Sequence, residues 1–521
     1  MAAYACATYS NRYLLLNPWA DTWVHLTYIR YTISLGWFPG DAFYGGPRTP
    51  PYYSLAHLVL AAICELTGQP PHMMWLTLPP LVVVTTMVAM FVWLRALTGD
   101  ERIAVIGAAT ELVVAVPDPI WWVMPLPRTL AVAPLAAALY CYLRGRRTRE
   151  WPWLVAAGVA LGVSLTTHLF VGAFGLLSLA ALEVSLNWPR RRPSRELGIA
   201  AGLGLVLAAP WIVNAGIGWL HRAATTAKVF TTISDVWTLP VGPLSLRFHQ
   251  PTAILSALPG RLWLPVALGL GLTLWRLRAR RATTADRYIM VTTGSACVLL
   301  FTPLYGLLVG VAGVWAERVV QVIPLSLLVG TGIVGSFDAL LASMPARPMR
   351  IAAMTVAVLL TAFVAWSAAD SVRSRLGGES WVYFTQGPLG DWNLADKIAQ
   401  LGPVPQMVLS DPWTSYALPY YLGCSVLTMP AGHGSAYEDH NTREQAARRV
   451  FRGRTPIAEL RRILDEYHID AVAIARNQPW PQAGDPDELI LRLRRSPAFQ
   501  DTGCCEQFVL LRYLPEAPSR D

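Results

Sequence analysis

Apolar runs separated by short polar loops set the pattern of the chain from Trp75 to Ala369. They cover Trp75–Leu97, Arg102–Val116, Thr129–Leu143, Trp151–Thr167, Leu169–Leu186, Leu197–Trp219, Arg261–Trp275, Tyr288–Leu308, Val319–Leu341 and Ile351–Ala369. The pattern predicts an α-helical polytopic bundle of about ten to eleven transmembrane helices. Several runs fall short of the roughly 20 residues that a perpendicular helix needs to cross a bilayer, so their ends are the least defined part of it. Ahead of the bundle, Trp23, Leu26, Ile29, Ile33 and Trp37 recur near helical period, with Asp21, His25 and Arg30 off that stripe. That spacing predicts an amphipathic helix lying along the membrane surface. Gly and Pro then punctuate a loop that holds Asp41, before a second short helix over Tyr52–Leu66. At about 15 residues, with His57 and Glu65 inside it, this segment suits an interfacial helix better than a span. Were it a span, Asp41 would lie in the cytoplasm.

After Ala369 the pattern shortens. DWNLADKIAQLG reads as a helix, VPQMVLS as a strand, DPWTSYALPYYLG as a helix opened by Asp411 and Pro412, and CSVLTMP as a strand. TPIAELRRILDEYHIDAVAIAR continues as helix then strand, and CCEQFVLLRY closes as a strand. These elements predict a small α/β domain over residues 370–521.

Arginine orients the bundle. The loops Arg144–Glu150, Pro189–Glu196, Arg276–Arg287 and Pro345–Arg350 are dense in it and the alternate loops sparse, which places those four in the cytoplasm. Pro117–Arg128, the neighbourhood of His168, His221–Gly260, the turn carrying Glu317 and Arg318, and everything after Ala369 then fall outside. Residues 1–74 become an outer loop with interfacial helices, ahead of a bundle over residues 75–369. A chain that starts outside implies a missing first transmembrane helix, with Met1–Thr8 as its tail.

Composition agrees with lipid as the solvent. Of 521 residues, 54% are hydrophobic and 14% charged, with mean hydropathy +0.39, too apolar for soluble cores alone. The net charge of +9 sits in the arginine-rich loops, so it argues for membrane topology and against nucleic acid. The seven cysteines have no metal-ligand spacing. Cys504 and Cys505, with Cys424, would permit one bridge in an oxidising compartment. No G-x-G-x-x-G or P-loop stands in the context that nucleotide binding needs, which argues against a cytosolic nucleotide-sugar donor.

The run ADTWVHLTYIRYTISLGWFPGDAFYGG, continuing through PRTPPYYSLAHLVLAAICELTG, resembles the first outer loop of multi-pass glycosyltransferases of the GT-C fold, including oligosaccharyltransferase-like and mannosyl- and arabinosyltransferase-like members. It also resembles a bacterial membrane family labelled as related to 6-pyruvoyl-tetrahydropterin synthase. The tail VLSDPWTSYALPYYLGCSVLTMPAGHG resembles the extracytoplasmic end of bacterial members. The likeness is best over the first hundred or so residues. It implies an inverting transferase in the bacterial inner membrane that moves a sugar from a polyprenyl-phosphate carrier to a glycan, lipid or protein acceptor outside the cytoplasm.

Such a leaving group departs as a phosphate anion, so it calls for cationic stabilisation rather than a strong general acid. The resemblance places Asp21 as the base near the acceptor hydroxyl; capping its helix is the plain alternative. Asp41 is the second acidic candidate, with a turn role as its alternative. His25, one turn after Asp21, either orients the base or faces headgroups. Arg128 and Arg318, at outer ends of spans, suit a phosphate because a guanidinium binds two oxygens at once; snorkelling to lipid headgroups, which explains most arginines at span ends, is the alternative for each. Glu317 pairs with Arg318 or serves the substrate. His168 lies deep in an apolar stretch, where it serves a substrate or caps a helical hairpin. His433 sits in a Gly-rich loop near an acceptor or plainly on the surface. Asp118 occupies the second outer loop, where oligosaccharyltransferase-like enzymes carry metal-binding acids, yet no D-x-D or E-x-D occurs there. The expectation is therefore a reaction without a required cofactor or divalent metal. The competing classes are a lipid-linked glycan transporter or flippase, for which no convincing internal repeat is present, and an inactive membrane scaffold.

Overall fold

The computed structural model describes residues 22–50, 53–111, 126–188, 194–220, 236–241, 244–249, 262–312, 319–343, 355, 403–430, 438–476, 480, 483–502 and 508–515. Helices dominate. Three precede the bundle: α1 (Thr22–Leu35), α2 (Leu55–Thr67) and α3 (Pro71–Thr77). The bundle follows as α4 (Pro79–Thr98), α5 (Glu101–Glu111), the single turn α6 (Pro127–Leu130), α7 (Val132–Thr148), α8 (Trp151–Thr167), α9 (Leu169–Leu186) and α10 (Arg195–Leu220). After a β-hairpin, β1 (Val236–Val241) and β2 (Leu244–His249), come α11 (Trp263–Arg278), α12 (Thr284–Phe301), α13 (Leu304–Ala312) and α14 (Leu325–Ser343).

Among the described residues, four helices are long and apolar enough to cross a membrane: Pro79–Thr98, Leu169–Leu186, Arg195–Gly218 and Leu325–Ala342. The chain is a multi-pass membrane protein. Trp151–Thr167 and Leu169–Leu186 start and stop where the apolar pattern does. Tyr288–Leu308 departs from it, dividing into α12 and α13 on either side of Thr302 and Pro303, because Pro lacks the N–H that would continue α12 and pushes Thr302 into an extended conformation. The expected span Ile351–Ala369 lies outside the described residues apart from Thr355. The hairpin β1–β2, inside the expected outer loop His221–Gly260, is an element the apolar pattern does not announce.

Small residues let the helices close. A Cβ on Gly332 would run into the Pro265 carbonyl of α11, and one on Gly158 would meet the Ala200 carbonyl of α10 at 2.9 Å. Without a hydrophobic force between helices in lipid, such close backbone contact supplies the packing.

The described parts of the arginine-rich loops gather at one end of the bundle. There Glu183, 2% exposed, receives the Tyr142 hydroxyl at 2.6 Å, Arg146 Nε at 3.1 Å, the Ser194 N–H at 3.1 Å and the Asn187 amide. Arg146 reaches on to Glu196 at 3.0 Å, tying α7, α9 and α10 together. Arg102 binds Asp338 through two hydrogen bonds of 2.9 Å, and Asp286 caps α12 while pairing with Arg276 at 3.3 Å. Every carboxylate here that leaves water finds several donors, which is the condition for burying one.

The C-terminal part is a five-stranded sheet of order β4-β3-β5-β7-β6, with β3 (Met407–Leu409), β4 (Ser425–Val426), β5 (Ala471–Ala475), β6 (Phe499–Asp501) and β7 (Phe508–Tyr513). β3 runs parallel to β4 and β5, whereas β7 is antiparallel to β5 and β6. Helices α15 (Leu418–Leu422), α16 (His440–Phe451), α17 (Ile457–Glu466) and α18 (Pro486–Arg494) complete it. The α/β class matches the sequence reading, but the elements shrink. DPWTSYALPYYLG forms only a 3-10 turn at Thr414–Tyr416 and α15, since Pro419 suits only a first helical turn and Gly423 ends the helix at positive φ. The expected helix DWNLADKIAQLG lies outside the described residues. The Cys424 thiol is free and buried; Cys504 and Cys505 lie outside the described residues.

Candidate functional site at the loop end of the bundle

The end opposite the arginine-rich loops is built by the N-terminal segment and the C-terminal sheet together. One hydrophobic core contains Trp23, Leu26, Tyr28 and Ile29 of α1, Phe43, Tyr53, Trp75, and Val408, Tyr420, Tyr421, Val426 and Ala473 of the sheet domain. Here the expected surface helix needs correction. Thr22, Val24, Thr27, Tyr28 and Thr32 are buried as well as Trp23, Leu26 and Ile29, while Trp37 lies beyond the helix and is 78% exposed. A helix buried on most of its faces is a core element, and α1 is one: packed on α2 and on α15, it is covered by protein where the pattern anticipated lipid headgroups.

The contacts across this junction are specific. The Trp23 ring lies 5.6 Å from that of Tyr420 and 5.1 Å from that of Tyr421. The Arg30 guanidinium donates to the Tyr420 carbonyl, and the Tyr420 hydroxyl lies 2.7 Å from His72 Nδ1. The Val426 N–H donates to the Phe43 carbonyl at 2.6 Å, so the first loop attaches at the β4 edge of the sheet. Arg443 of α16 stands 4.9 Å over the Tyr44 ring and pairs with Glu438 at 2.7 Å. Burial raises the Tyr31 hydroxyl to about 12 and lifts Tyr44 and Tyr420 further, so all three remain neutral donors.

At its centre are two histidines. His25 Nδ1 lies 2.9 Å from His57 Nε2, with rings 5.2 Å apart at 24°. His57, 1% exposed, stands between Tyr28 and Tyr53 at 5.5 and 5.4 Å, and its Nδ1 accepts the Ser54 N–H at 3.0 Å. That bond belongs to a capping box opening α2, with His57 in the position Glu or Gln usually takes. Burial, then the neighbouring His25, hold His57 well below the ordinary histidine range, so it is neutral. Trp75 stacks on His25 at 5.9 Å and 18°, and its buried indole N–H has no partner among the described residues.

Asp41 is 5% exposed. Its Oδ1 accepts the N–H groups of Phe43 at 2.9 Å and Tyr44 at 3.1 Å, and its own main chain bonds to Gly45 and Gly46. The geometry is that of an Asx turn, the structural role open to it from the sequence. His168 caps α9, accepting the Val171 N–H on Nδ1 at 3.2 Å. Arg128 lies on α6, whose neighbour Ala131 receives the Ser164 hydroxyl of α8 at 3.0 Å, so Arg128 and His168 sit on adjoining helix ends on this side. Asp21, Asp118, Glu317, Arg318 and His433 lie outside the described residues. The structure thus joins His25 to the junction and puts Asp41 in the turn that seats the sheet.

Sequence reading missed His57, His72, Arg30 and Tyr420 as members of one cluster. The signal for His57 was its place three residues after Ser54, a capping-box spacing; nothing local marks Tyr420, 390 residues from Arg30. It also missed Arg247. An open cleft of about 790 Å³ between the hairpin and α12–α13 is lined by Leu246, Arg247, Val298, Thr302, Pro303, Leu304, Gly306 and Leu307, an apolar groove with one guanidinium. Among the described residues, no three His, Cys, Asp or Glu side chains group as metal ligands.

Neither a family model nor a curated protein sequence matches this chain. Solved structures do. ArnT from Cupriavidus metallidurans in the apo state superposes with a TM-score of 0.55 at 15% identity, over 98% of this chain and 97% of that one. The arabinofuranosyltransferase AftD from Mycobacteria gives 0.56 at 14% identity over 99% of this chain, and a mutant form of it 0.60 at 14% over 98%. The chain spans about 40% of the AftD length. At these identities the likeness is one of fold: the GT-C layout anticipated from the first outer loop is the fold this chain has, whereas no comparison supports the resemblance to the pterin-labelled family.

Proposed function

We propose that this protein is an inverting glycosyltransferase of the bacterial inner membrane that takes a sugar from a polyprenyl-phosphate carrier and places it on a glycan, lipid or protein acceptor outside the cytoplasm. The observation that carries this reading is the fold likeness, over nearly the whole chain, to a protein named as an arabinofuranosyltransferase. Two features support it. The apolar cleft beside Arg247 has the chemistry of an isoprenoid chain ending in phosphate. The junction of loop, helices and sheet concentrates neutral hydroxyl and imidazole donors where the bundle ends, which suits a sugar rich in hydroxyl groups.

In this reading the C-terminal domain and the first loop face the extracytoplasmic side, Asp21 is the base for the acceptor hydroxyl, and Arg128 with Arg318 stabilises the departing phosphate. Asp41, seated in its turn, shapes the loop, and His25 borders the acceptor. The reaction needs no divalent metal, and turnover should survive chelation. The test is transfer of radiolabelled sugar from a panel of polyprenyl-phosphate sugars in membranes holding the full chain, beside Asp21→Asn and Arg128→Ala. Label reaching an acceptor with wild type, reduced about a hundredfold or more in Asp21→Asn, supports the assignment. Movement of label across sealed liposomes without new glycosidic bonds would instead make the protein a transporter. Neither transfer nor transport by well-folded protein would leave a scaffold.

A further inference from the structure

The cleft beside the β1–β2 hairpin has a level in the bundle and a direction. Helix α12 rises from the arginine-rich end over the 18 residues Thr284–Phe301, about 27 Å at about 1.5 Å per residue. Its break at Thr302 and Pro303 therefore stands close to the far edge of a hydrocarbon core about 30 Å thick. One face of α12 and α13 is buried: Ala296, Leu300, Tyr305 and Val309 belong to a core on which Phe170 and Phe174 of α9 pack. Val298, Leu304 and Leu307, which line the cleft, are exposed, as apolar side chains are where a helix meets lipid. The cleft thus opens toward the bilayer, at the level where lipid phosphates lie. Arg247 stands there on β2, close against α13: a Cβ on Gly306 would lie 3.3 Å from the Arg247 Cβ. Arg247 is part-exposed, its side chain has no hydrogen bond or ion pair among the described residues, and no carboxylate lines the cleft.

We propose that this cleft binds an anionic phospholipid of the leaflet opposite the arginine-rich loops, with its phosphate on Arg247 and an acyl chain along Val298, Leu304 and Leu307. Charge selects the occupant. A lone guanidinium at the rim of an apolar groove is neutralised by a lipid of net negative charge, whereas a zwitterionic lipid brings its own cation to compete with Arg247 for the phosphate. An arginine that only reaches for headgroups needs no groove; here one site holds the phosphate and the chain together. The lipid site rests on this geometry alone. On the transferase reading above, the isoprenoid phosphate of the carrier shares the same chemistry, so the phospholipid is the resident that the carrier displaces, and its abundance regulates access.

Native mass spectrometry of the full chain in detergent, titrated with phosphatidylglycerol, phosphatidylcholine or a polyprenyl phosphate, reads occupancy directly. The expected result is one phosphatidylglycerol held by wild type at concentrations where phosphatidylcholine is not, and binding weaker by about tenfold or more in Arg247→Gln. Gly306→Leu fills the cleft beside Arg247 and leaves the charge in place, so it should lose the lipid as well, with a thermal midpoint in lipid-free detergent close to that of wild type. Equal retention of the two phospholipids, unchanged phosphatidylglycerol binding in Arg247→Gln, or binding of the polyprenyl phosphate alone would overturn the proposal. With transfer in hand, added phosphatidylglycerol should raise the apparent KM for the carrier and leave kcat unchanged; an unchanged KM would overturn the displacement. Selective retention with no transfer from any donor would uphold the lipid site and reject the transferase reading, and measured transfer without selective retention would do the reverse.

Discussion

The two ends of the bundle are closed by different chemistry. At the arginine-rich end, buried carboxylates are saturated: Glu183 has four donors around it, and Asp286 has Thr283 and Arg276. At the loop end, aromatic rings, buried histidines, the Arg30 guanidinium and a main-chain bond join α1 and the first loop to a sheet hundreds of residues away. Saturated ion clusters are costly to rearrange once formed, because each charge left alone in a dry site is penalised. Neutral donors on an aromatic scaffold carry no such penalty. A bundle made this way is fixed at one end and keeps its adaptable hydrogen-bonding groups at the other, where the candidate site lies.

Removing one partner from the saturated cluster should have the largest effect. Glu183→Ala leaves Arg146, 17% exposed, without its buried partner and should cost about 3–5 kcal/mol, read as loss of reversible unfolding stability in bicelles. A loss under about 1 kcal/mol would mean that the cluster is wetter than its burial indicates. At the other end, Trp23→Ala removes a 2% exposed indole and should cost about 3–5 kcal/mol. Its signature differs: protease should cut the C-terminal domain free of the first loop while the bundle stays intact. Tyr420→Phe keeps the ring and loses the hydroxyl that meets His72, about 1 kcal/mol, detected as faster hydrogen exchange in α3.

Acidity should sharpen the contrast. His57 has a folded value well below the ordinary 6.5, so the unfolded segment binds a proton that the folded one excludes. Its contribution is complete above about pH 6.5 and falls as pH drops below that value. Proteolytic release of the first loop should therefore accelerate on acidification in wild type and lose much of that dependence in His57→Gln. The smallest effect is expected from Arg102→Ala. Its partners Asp100 and Asp338 are 28% and 48% exposed, and such pairs contribute about 0–1 kcal/mol, seen as a change in thermal midpoint that vanishes in high salt.

The sequence made some of this legible because the information is local. The spans Trp151–Thr167 and Leu169–Leu186 follow from apolar length and the polar His168 between them, and α17 followed by β5 follows from a 3.6-residue period giving way to the continuous run AVAIA. The candidate site was half legible. His25 and Asp41 stand out as polar residues in an apolar neighbourhood, but whether a stripe such as Trp23, Leu26 and Ile29 meets lipid or protein cannot be read from periodicity, which is the same in both cases.

By itself, then, the chain determined that it crosses a membrane repeatedly, gathers arginine on one side and ends in an α/β unit. Apolar length, charge asymmetry and periodicity are properties of short segments. Only the tertiary structure decided that α1 is buried under the sheet, that Phe43 docks on Val426 and that His57 meets His25. Those outcomes depend on groups that meet only after loops close over tens to hundreds of residues, and hydrogen-bond direction exists only once the partners are in place.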